Sequence, residues 1–223
     1  MSREPRVPVL IATTNRGKIV EIQALFEGLP VKLLTLSDAL PNSPPVEETG
    51  QTFFDNALLK ARAGASASGL LTLADDSGLE VDALGGEPGV HSARYSGEDA
   101  SASDNNTKLL AALENIDDAR RTARFKCALV MIDPASPDDI KATEGTCEGV
   151  ITRAPRGERG FGYDPLFLVR DSEGNRTMAE LSDAEKNRIS HRARAFIAMR
   201  PILEAELGRK MHGLQASLRE PGA

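Results

Sequence analysis

The beginning of the chain alternates between strand and helix periods. A short apolar run over 7–13, ended by polar residues, predicts a buried strand. After Asn15 the apolar positions follow helical spacing up to Gly28, a residue type that commonly ends helices. A second apolar run over 31–36 predicts another strand. The chain therefore opens with the strand–helix–strand order of an α/β protein.

The next segment passes through a loop into a helix and a strand. The loop over 40–50 contains three prolines, and Thr52 and Asp55 have the spacing of a capping box. The box predicts a helix that continues to about residue 67. The unbroken apolar run over 70–74 then predicts a buried strand that ends abruptly at polar residues.

The second half of the chain contains the best candidate for a hairpin. Two long strands are predicted over 125–132 and 142–151, joined by a turn rich in proline and aspartate. A polar-capped helix is predicted over 103–114, and a short strand over 166–169 follows a glycine- and arginine-rich loop. A hairpin combined with an alternating start favours an α/β fold with a mixed sheet over an all-parallel one.

The last predicted element is helical. Ser182 and Glu185 form another capping box, and an amphipathic stretch over 190–207 follows, with a break near Asn187. Residues 208–223 lose the pattern and are expected to form a loose, flexible tail. Because there is no internal repeat and no long linker, we expect one domain over residues 1–207.

Composition narrows the classes of function. Of the 223 residues 40% are hydrophobic and 27% charged, and 33 acidic against 27 basic side chains give a net charge of -6. Such a chain lacks the basic footprint of a general nucleic-acid binder, and no apolar stretch approaches membrane-spanning length. Cys127 and Cys147 lie in strand-like runs without a CxxC pair, as expected of buried thiols in a reducing compartment. We expect a cytoplasmic protein that binds neither nucleic acid nor membranes.

The first candidate site is the turn between the first strand and the first helix. Small polar residues at a helix N-terminus present backbone N–H groups and the positive end of the helix dipole, which suits a phosphate. The glycine spacing does not fit a P-loop, and a capped helix start with a solvated lysine explains the local sequence slightly better. The candidate residues are Thr13, Thr14, Asn15, Arg16, Gly17 and Lys18.

The second candidate is the acidic end of the strand predicted over 70–74. Asp75 and Asp76 follow it where open α/β sheets bind ligands, and neighbours in a strand point to opposite faces. One would face the cleft and the other support the loop, but an Asx turn explains the pair equally well. Glu47 and Glu48 in the proline-rich loop could complete a magnesium site with an aspartate, although an exposed acidic loop is commoner.

Two further candidates lie in the second half of the chain. Aromatic residues are scarce, so Phe161 and Tyr163 in a glycine-rich loop could stack on a nucleobase, or equally well anchor the loop on the core. Lys186, His191 and Arg192 could neutralise phosphate or hydrogen-bond a purine edge. A structural histidine and a solvated basic face are the commoner explanations of that segment.

Taken together, these segments resemble the inosine/xanthosine triphosphate pyrophosphatase family. Each motif is weak alone, but six in the family's order and spacing over about residues 8–205 are specific. Thr14 stands where relatives commonly have glycine, which leaves the backbone cradle in place but tightens it. The motifs are TTNRGK, EETG, ADDSG, LGGEPGVHSARYSG, GFGYDP and EKNRISHR.

The resemblance implies a fold and an activity. The fold is a two-lobed α/β domain around a long mixed β-sheet, with helices on both sides and a central substrate cleft, and the protein is a homodimer. The activity is magnesium-dependent hydrolysis of ITP, dITP and XTP to the monophosphate and pyrophosphate, which removes deaminated purines from the nucleotide pool.

The resemblance also implies roles for single residues. The turn over 13–18 would hold the triphosphate, and Asp76 would be the main magnesium ligand and a candidate general base. Glu48 is favoured as the second magnesium ligand, with Glu47 and Asp75 as rivals. The other expected contacts are Ser77 with the substrate, Phe161, Gly162, Tyr163 and Asp164 around the base, Lys186 with phosphate, and His191 and Arg192 on the base side.

Two alternatives stay open at this point. A different nucleotide-cleansing hydrolase, one that favours modified pyrimidines, would use the same phosphate and metal apparatus and differ only in the base pocket. A nucleotide sensor would bind ITP without turnover, although the acidic pair and Lys18 argue against this. The sequence does not indicate the preference among ITP, dITP and XTP, or the residue that excludes GTP.

Overall fold

The centre of the molecule is a mixed β-sheet. The computed structural model describes residues 6–170 and 172–219, with side chains as far as residue 213. Within these ranges the strands are β1 (Val7–Ile11), β2 (Val31–Thr35), β3 (Leu71–Val81), β4 (Thr122–Ile132), β5 (Lys141–Ile151) and β6 (Phe167–Val169). Their order is β2-β1-β3-β4-β5-β6, with β1 parallel to β2 and β3 and the remaining pairs antiparallel. The mixed sheet and the β4–β5 hairpin predicted from the sequence are confirmed.

The helices begin at the caps that the sequence supplies. They are α1 (Arg16–Leu25), α2 (Leu36–Ala39), α3 (Phe53–Ser68), α4 (Ala102–Ala112), α5 (Asp183–Ile189) and α6 (His191–Arg219). The predicted capping boxes at Thr52 and Ser182 are both present. Thr35 and Asp38 form a further box that begins the short α2, an element not predicted from the sequence. No helix in the described ranges is long and apolar enough to cross a membrane.

Helices pack on both faces of the sheet. On one face Leu73 and Leu129 contact the apolar sides of α1 and α6, where the rings of Phe26 and Phe196 lie 4.8 Å apart. On the opposite face Ala74 and other small residues of β3 and β4 pack against the alanine-rich side of α3. Because side chains alternate across a strand, neighbouring residues of β3 face different helices. This alternation determines the surroundings of Asp75 and Asp76.

Strand β3 continues well past the point where the sequence analysis ended it. The expected stop at Asp75 is wrong, because β3 stays hydrogen-bonded to β4 as far as Val81. Gly78 is required in this continuation, since a Cβ there would lie 2.5 Å from the carbonyl oxygen of Gly89. The turn-forming residues 75–78 predict the end of a strand, but the hydrogen-bonded pairing with β4 overrides their local preference.

The C-terminal helix also differs from the expectation. The break before it falls at Ser190, which has an extended backbone and caps α6 through Ala193 N–H, and not near Asn187. The loose tail expected from residue 208 is helical as far as Arg219, and residues 220–223 lie outside the described residues. Met211 packs against the core, and Lys210 Nζ lies 2.7 Å from Asp133 Oδ2. These two contacts give the helix extension a packed side that its weak periodicity does not reveal. The single two-lobed domain over 1–207 stays a prediction.

Candidate active site

A cavity of about 750 Å³ opens beside the carboxyl end of β1. Its walls come from the turn after β1, from α3 and β3, from the loop before Glu48, and from the start of α6. The volume is in the range of small-molecule and cofactor sites. The predicted residues in its lining are Thr13, Thr14, Asn15, Lys18, Glu48, Asp76, Ser77, Phe161, Gly162, Tyr163, Asp164, Lys186, His191 and Arg192.

The turn after β1 is built to present backbone N–H groups. Asn15 caps α1, its side chain accepting from Lys18 N–H at 3.2 Å, and Thr13 Oγ1 accepts from Asn15 N–H at 3.2 Å. The first backbone hydrogen bond of the helix runs from Ile19 N–H to Asn15 O. The N–H groups of Arg16 and Gly17 therefore precede the helical ladder, and they carry the positive end of the dipole.

Asp75 is the structural member of the aspartate pair. Its side chain is fully buried on the α1–α6 face, 3.0 Å from Lys18 Nζ and 3.2 Å from Arg192. Burial alone would raise the pKa of Asp75, but Lys18 and Arg192 outweigh it and hold the pKa well below its usual range. Ser77 joins the network, since its hydroxyl donates to Asp75 and accepts from Arg192 at 2.9 Å. The network ties α1 and α6 to β3.

Asp76 faces the other way, toward α3 and the cavity. Its Oδ1 lies 2.9 Å from Lys60 Nζ, and Lys60 Nζ also lies 2.8 Å from Glu48 Oε1. Asn56 Nδ2 donates to Asp76 Oδ2 at 3.4 Å. Burial raises the pKa of Asp76 above its usual value, although Lys60 opposes the shift. Burial is weaker at Glu48, so Lys60 prevails there and the pKa of Glu48 is lowered.

The donor set around Lys60 fits a magnesium ion that completes its shell with substrate oxygens. Glu48 and Asp76 converge on one ammonium, so a single cationic centre already lies between the two carboxylates. No group of three or more His, Cys, Asp or Glu that could hold a metal occurs among the described residues. Magnesium usually takes only one or two carboxylates, with phosphates and waters. Glu47 is exposed and outside the cavity lining, and Asp75 lies on the opposite face of the sheet.

We call the glycine-rich segment over 160–164 the aromatic loop. Side-chain hydrogen bonds hold it in place. The Oδ2 atom of Asp164 accepts from Phe161 N–H at 2.8 Å and from Lys186 Nζ at 2.5 Å. Tyr163 is buried, and its hydroxyl donates to Ser92 O at 2.9 Å. Tyr163 is therefore a loop anchor, whereas the half-buried Phe161 lines the cavity. The sequence had left both roles open for both residues.

The start of α6 adds one neutral and one charged group. The ring of His191 stacks on Phe125, with centroids 4.8 Å apart, and its buried Nδ1 has no hydrogen-bond partner among the described residues. Burial lowers the pKa of His191 well below its usual value, so the ring is neutral near pH 7. Arg192 donates to Asp75, Ser77 and Glu21, and these bonds use four of the five N–H groups of a guanidinium.

Three contributors were missed by the sequence analysis. Asn56 and Lys60 lie four residues apart on α3, beside its buried small residues, so both reach Asp76. Polar residues at helical spacing next to a small-residue stripe are the signal that could have found them. Glu21, three residues after Lys18, lies 2.7 Å from Lys186 Nζ. The sequence gives no sign of these contacts, because the two partners of Glu21, Lys186 and Arg192, lie in the C-terminal part of the chain.

Comparisons with known proteins place the chain in a family. A Ham1 family profile matches residues 9–202. A dITP/XTP pyrophosphatase of Geobacter sulfurreducens is 52% identical over 196 residues, 87% of this chain and 96% of that protein. One of Geobacillus kaustophilus is 50% identical over 202 residues, 91% and 97% of the two chains. The solved structure of a HAM1 protein from Coxiella burnetii has 41% identity and a TM-score of 0.79, covering 88% of this chain and 98% of that one. The chain belongs to the Ham1 family.

Proposed function

We propose that this protein hydrolyses the non-standard purine nucleoside triphosphates ITP, dITP and XTP to the monophosphate and pyrophosphate, with magnesium. The observation that carries the proposal is one cavity whose lining combines two unlike groups of residues. Glu48 and Asp76 meet at Lys60 and would form the phosphate end, whereas Phe161 and His191, whose Nδ1 has no partner among the described residues, would form the base end. Relatives that match most of the chain are named dITP/XTP pyrophosphatase, which supports the same assignment.

The phosphate end combines helix-terminal N–H groups with side-chain charge. Arg16 and Gly17 are not in the cavity lining themselves, but their backbone N–H groups follow the lining residues 13–15 and would donate to phosphate oxygens at the N-terminus of α1. Lys18 Nζ lies at the rim of the same turn, but it is shared with the buried Asp75. Its role is therefore to hold the turn on β3 as much as to attract the triphosphate.

Glu48 and Asp76 would hold the magnesium ion, together with phosphate oxygens. When bound, the ion would supply positive charge at the phosphate oxygens and offset the charge that develops on the leaving group. Lys60 holds the two carboxylates close together, because its ammonium contacts each of them. We further propose that Glu47 and Asp75 take no direct part in metal binding.

The chemical step is attack of water on the α-phosphorus. A bond forms from the water oxygen to the α-phosphorus, and the bond from that phosphorus to the bridging oxygen of the β-phosphate breaks. Pyrophosphate leaves with the bonding electron pair, and Asp76 accepts a proton of the water. Asp76 suits this role by its position, because it is the aspartate of the pair that faces α3 and lines the cavity.

The base end would select a 6-oxo purine. His191 is neutral, and its buried Nδ1 has no hydrogen-bond partner among the described residues. It could therefore form one hydrogen bond with the base, and no charge on the ring would have to be desolvated. Arg192 has an N–H group in excess of its bonds to Asp75, Ser77 and Glu21. An adenine amino group in the same place would leave these donors unpaired, which can discriminate by on the order of 10⁴ in favourable sites.

Product analysis tests the reaction and its metal dependence together. Wild-type protein is incubated with ITP in buffer with magnesium and in EDTA, and the products are separated by anion exchange. IMP and pyrophosphate in magnesium, and neither in EDTA, are the expected result. IDP and phosphate would contradict attack at the α-phosphorus. ITP binding without any product would make the protein a sensor.

A Glu48→Gln variant tests the metal ligands. We expect its magnesium concentration for half-maximal activity to rise about tenfold or more, since one carboxylate is lost from a two-carboxylate set. Glu47→Gln is the matched control, because Glu47 is exposed and outside the cavity lining. Equal shifts in both variants would contradict the assignment of Glu48.

A further inference from the structure

The ring of Phe161 lies directly against Gly17. A Cβ added to Gly17 would lie 2.5 Å from Phe161 Cδ1 and 2.8 Å from Cε1. Both distances are shorter than real Cβ contacts. The aromatic ring therefore rests in the place where any side chain at position 17 would begin.

The backbone gives no reason for a glycine at this position. Gly17 is the second residue of α1 and does not have a positive φ. Alanine has a higher helix propensity than glycine, so a substitution there would favour the helix. The contact with Phe161 is what position 17 gains from having no side chain.

Two cationic side chains also lie over the ring. Lys186 Nζ lies 4.8 Å from the ring centroid and the Arg192 guanidinium carbon lies 5.9 Å from it. The loop backbone is fixed separately, by Asp164 under Phe161 N–H and by Asn106, which donates to Gly162 O at 3.1 Å. Side-chain hydrogen bonds thus hold the backbone of the aromatic loop, whereas the ring of Phe161 contacts the first turn of α1 at Gly17.

We propose that Gly17 is a positioning residue for nucleobase recognition, which acts by seating the ring of Phe161 against α1. The inference rests on the proposed function, with Phe161 placed against the base as the family resemblance implies. It assigns Gly17 a second role beside its backbone N–H in the phosphate turn. The same glycine then links the phosphate end of the cavity to the base end.

The test is a Gly17→Ala variant measured with two ligands. ITP carries a base, whereas inorganic tripolyphosphate, used as a competitive inhibitor, carries only the phosphate chain. Because a base stacked on an aromatic ring gains a free energy that a displaced ring loses in part, we expect the KM for ITP to rise about fivefold to tenfold. We expect the inhibition constant of tripolyphosphate to rise clearly less than the KM for ITP, by about twofold at most, since the backbone N–H groups remain in place.

Two controls separate this role from a general effect on folding. Gly208→Ala is the matched substitution, because Gly208 is also helical and a Cβ there meets nothing within 4 Å. It should leave the KM unchanged. The thermal midpoint of Gly17→Ala should stay close to that of the wild type, because the gain in helix propensity offsets part of the cost of displacing the ring.

A double variant shows whether Gly17 acts through the ring. In a Phe161→Leu background the further change Gly17→Ala should add little to the KM, because the ring that it displaces is gone. Additive effects would overturn the proposal, and so would an equal loss of tripolyphosphate affinity in Gly17→Ala. If wild-type protein hydrolyses no nucleotide, the proposed function fails, and the same comparison is made with calorimetric binding of ITP. An unchanged ITP affinity in Gly17→Ala would then overturn the positioning role.

Discussion

Asp75 and Asp76 are neighbours in the chain but lie in different electrostatic surroundings. Asp75 is enclosed between Lys18 and Arg192, so its carboxylate is ionised in all but strong acid and its bonds are structural. Asp76 lines the cavity, where burial raises its pKa and Lys60 is its main ion-pair partner. The strand alternation that the sequence predicts assigns them to opposite faces, and the packing of α3 against one face decides which aspartate lines the cavity.

Replacing the cavity-facing carboxylate should abolish turnover without unfolding the protein. For Asp76→Asn we expect kcat to fall by about 10²-fold or more, the range for loss of a general base. Asp82→Asn is the control, because Asp82 follows the same strand and pairs with Arg124 on the surface. The measurement is steady-state hydrolysis of ITP, together with thermal unfolding. Near-normal turnover in Asp76→Asn would remove this residue from the reaction.

The buried carboxylate should instead determine stability. Asp75→Asn leaves the charges of Lys18 and Arg192 buried without their shared partner, so the free energy of unfolding should fall by about 3–5 kcal/mol. Asp118→Asn breaks only an exposed ion pair with Arg153 and should change it very little. Urea denaturation of the two variants and the wild type provides the comparison.

The pH dependence of this stability has a definite sign. The pKa of Asp75 is lower in the folded protein than in the unfolded chain. Its contribution is therefore complete above the unfolded pKa of about 3.9, and it is lost as the pH falls through the folded pKa. The difference in unfolding free energy between wild type and Asp75→Asn should be constant from pH 7 to about pH 5 and shrink only in stronger acid. A difference that shrinks already between pH 7 and pH 5 would contradict the ion-pair assignment.

At the scale of elements, features that depend on residues close in sequence could be predicted, whereas features that depend on long-range contacts could not. The box at Thr52, the box at Ser182 and the β4–β5 hairpin are encoded by residues close in sequence, and all three were predicted correctly. The extension of β3 depends on pairing with β4, some 50 residues away, and the extension of α6 depends on contacts with the hairpin turn. The partners of Asp76 and Arg192 were missed for the same reason, since helix α3 and Glu21 reach them only through tertiary packing.

One buried arginine joins two elements without a carboxylate partner. Arg121 donates to the carbonyl oxygens of Leu113, Ile151 and Thr152, and so ties the end of α4 to the end of β5. Arg121→Met leaves these carbonyls without their charged donor, and we expect a loss of about 3 kcal/mol in unfolding free energy.

The control for this prediction lies next to it in the chain. Arg120 is exposed, so Arg120→Met should stay within about 0.5 kcal/mol of the wild type. Urea denaturation measures both variants. Equal stability of the two variants would show that the three hydrogen bonds of Arg121 contribute nothing.

At the scale of the whole molecule, the sheet brings distant segments of the chain to one cavity. The register places the end of β1 beside Leu73, so the turn after β1 and the aspartate pair become neighbours. The aromatic loop and α6 approach from the other end of the sequence. The order of motifs in the sequence indicated the components, whereas the distances between them follow only from the sheet. The homodimer implied by the family resemblance stays a prediction.

The central claim is that this cavity selects 6-oxo purine triphosphates and cleaves them to pyrophosphate. It is tested most directly by kcat/KM for pyrophosphate release from ITP, dITP, XTP, GTP, ATP, dUTP and CTP in magnesium. We expect the first three to exceed ATP and both pyrimidines by a factor on the order of 10² or more. Equal values for ITP and ATP, or a preference for dUTP, would contradict the account of the base end.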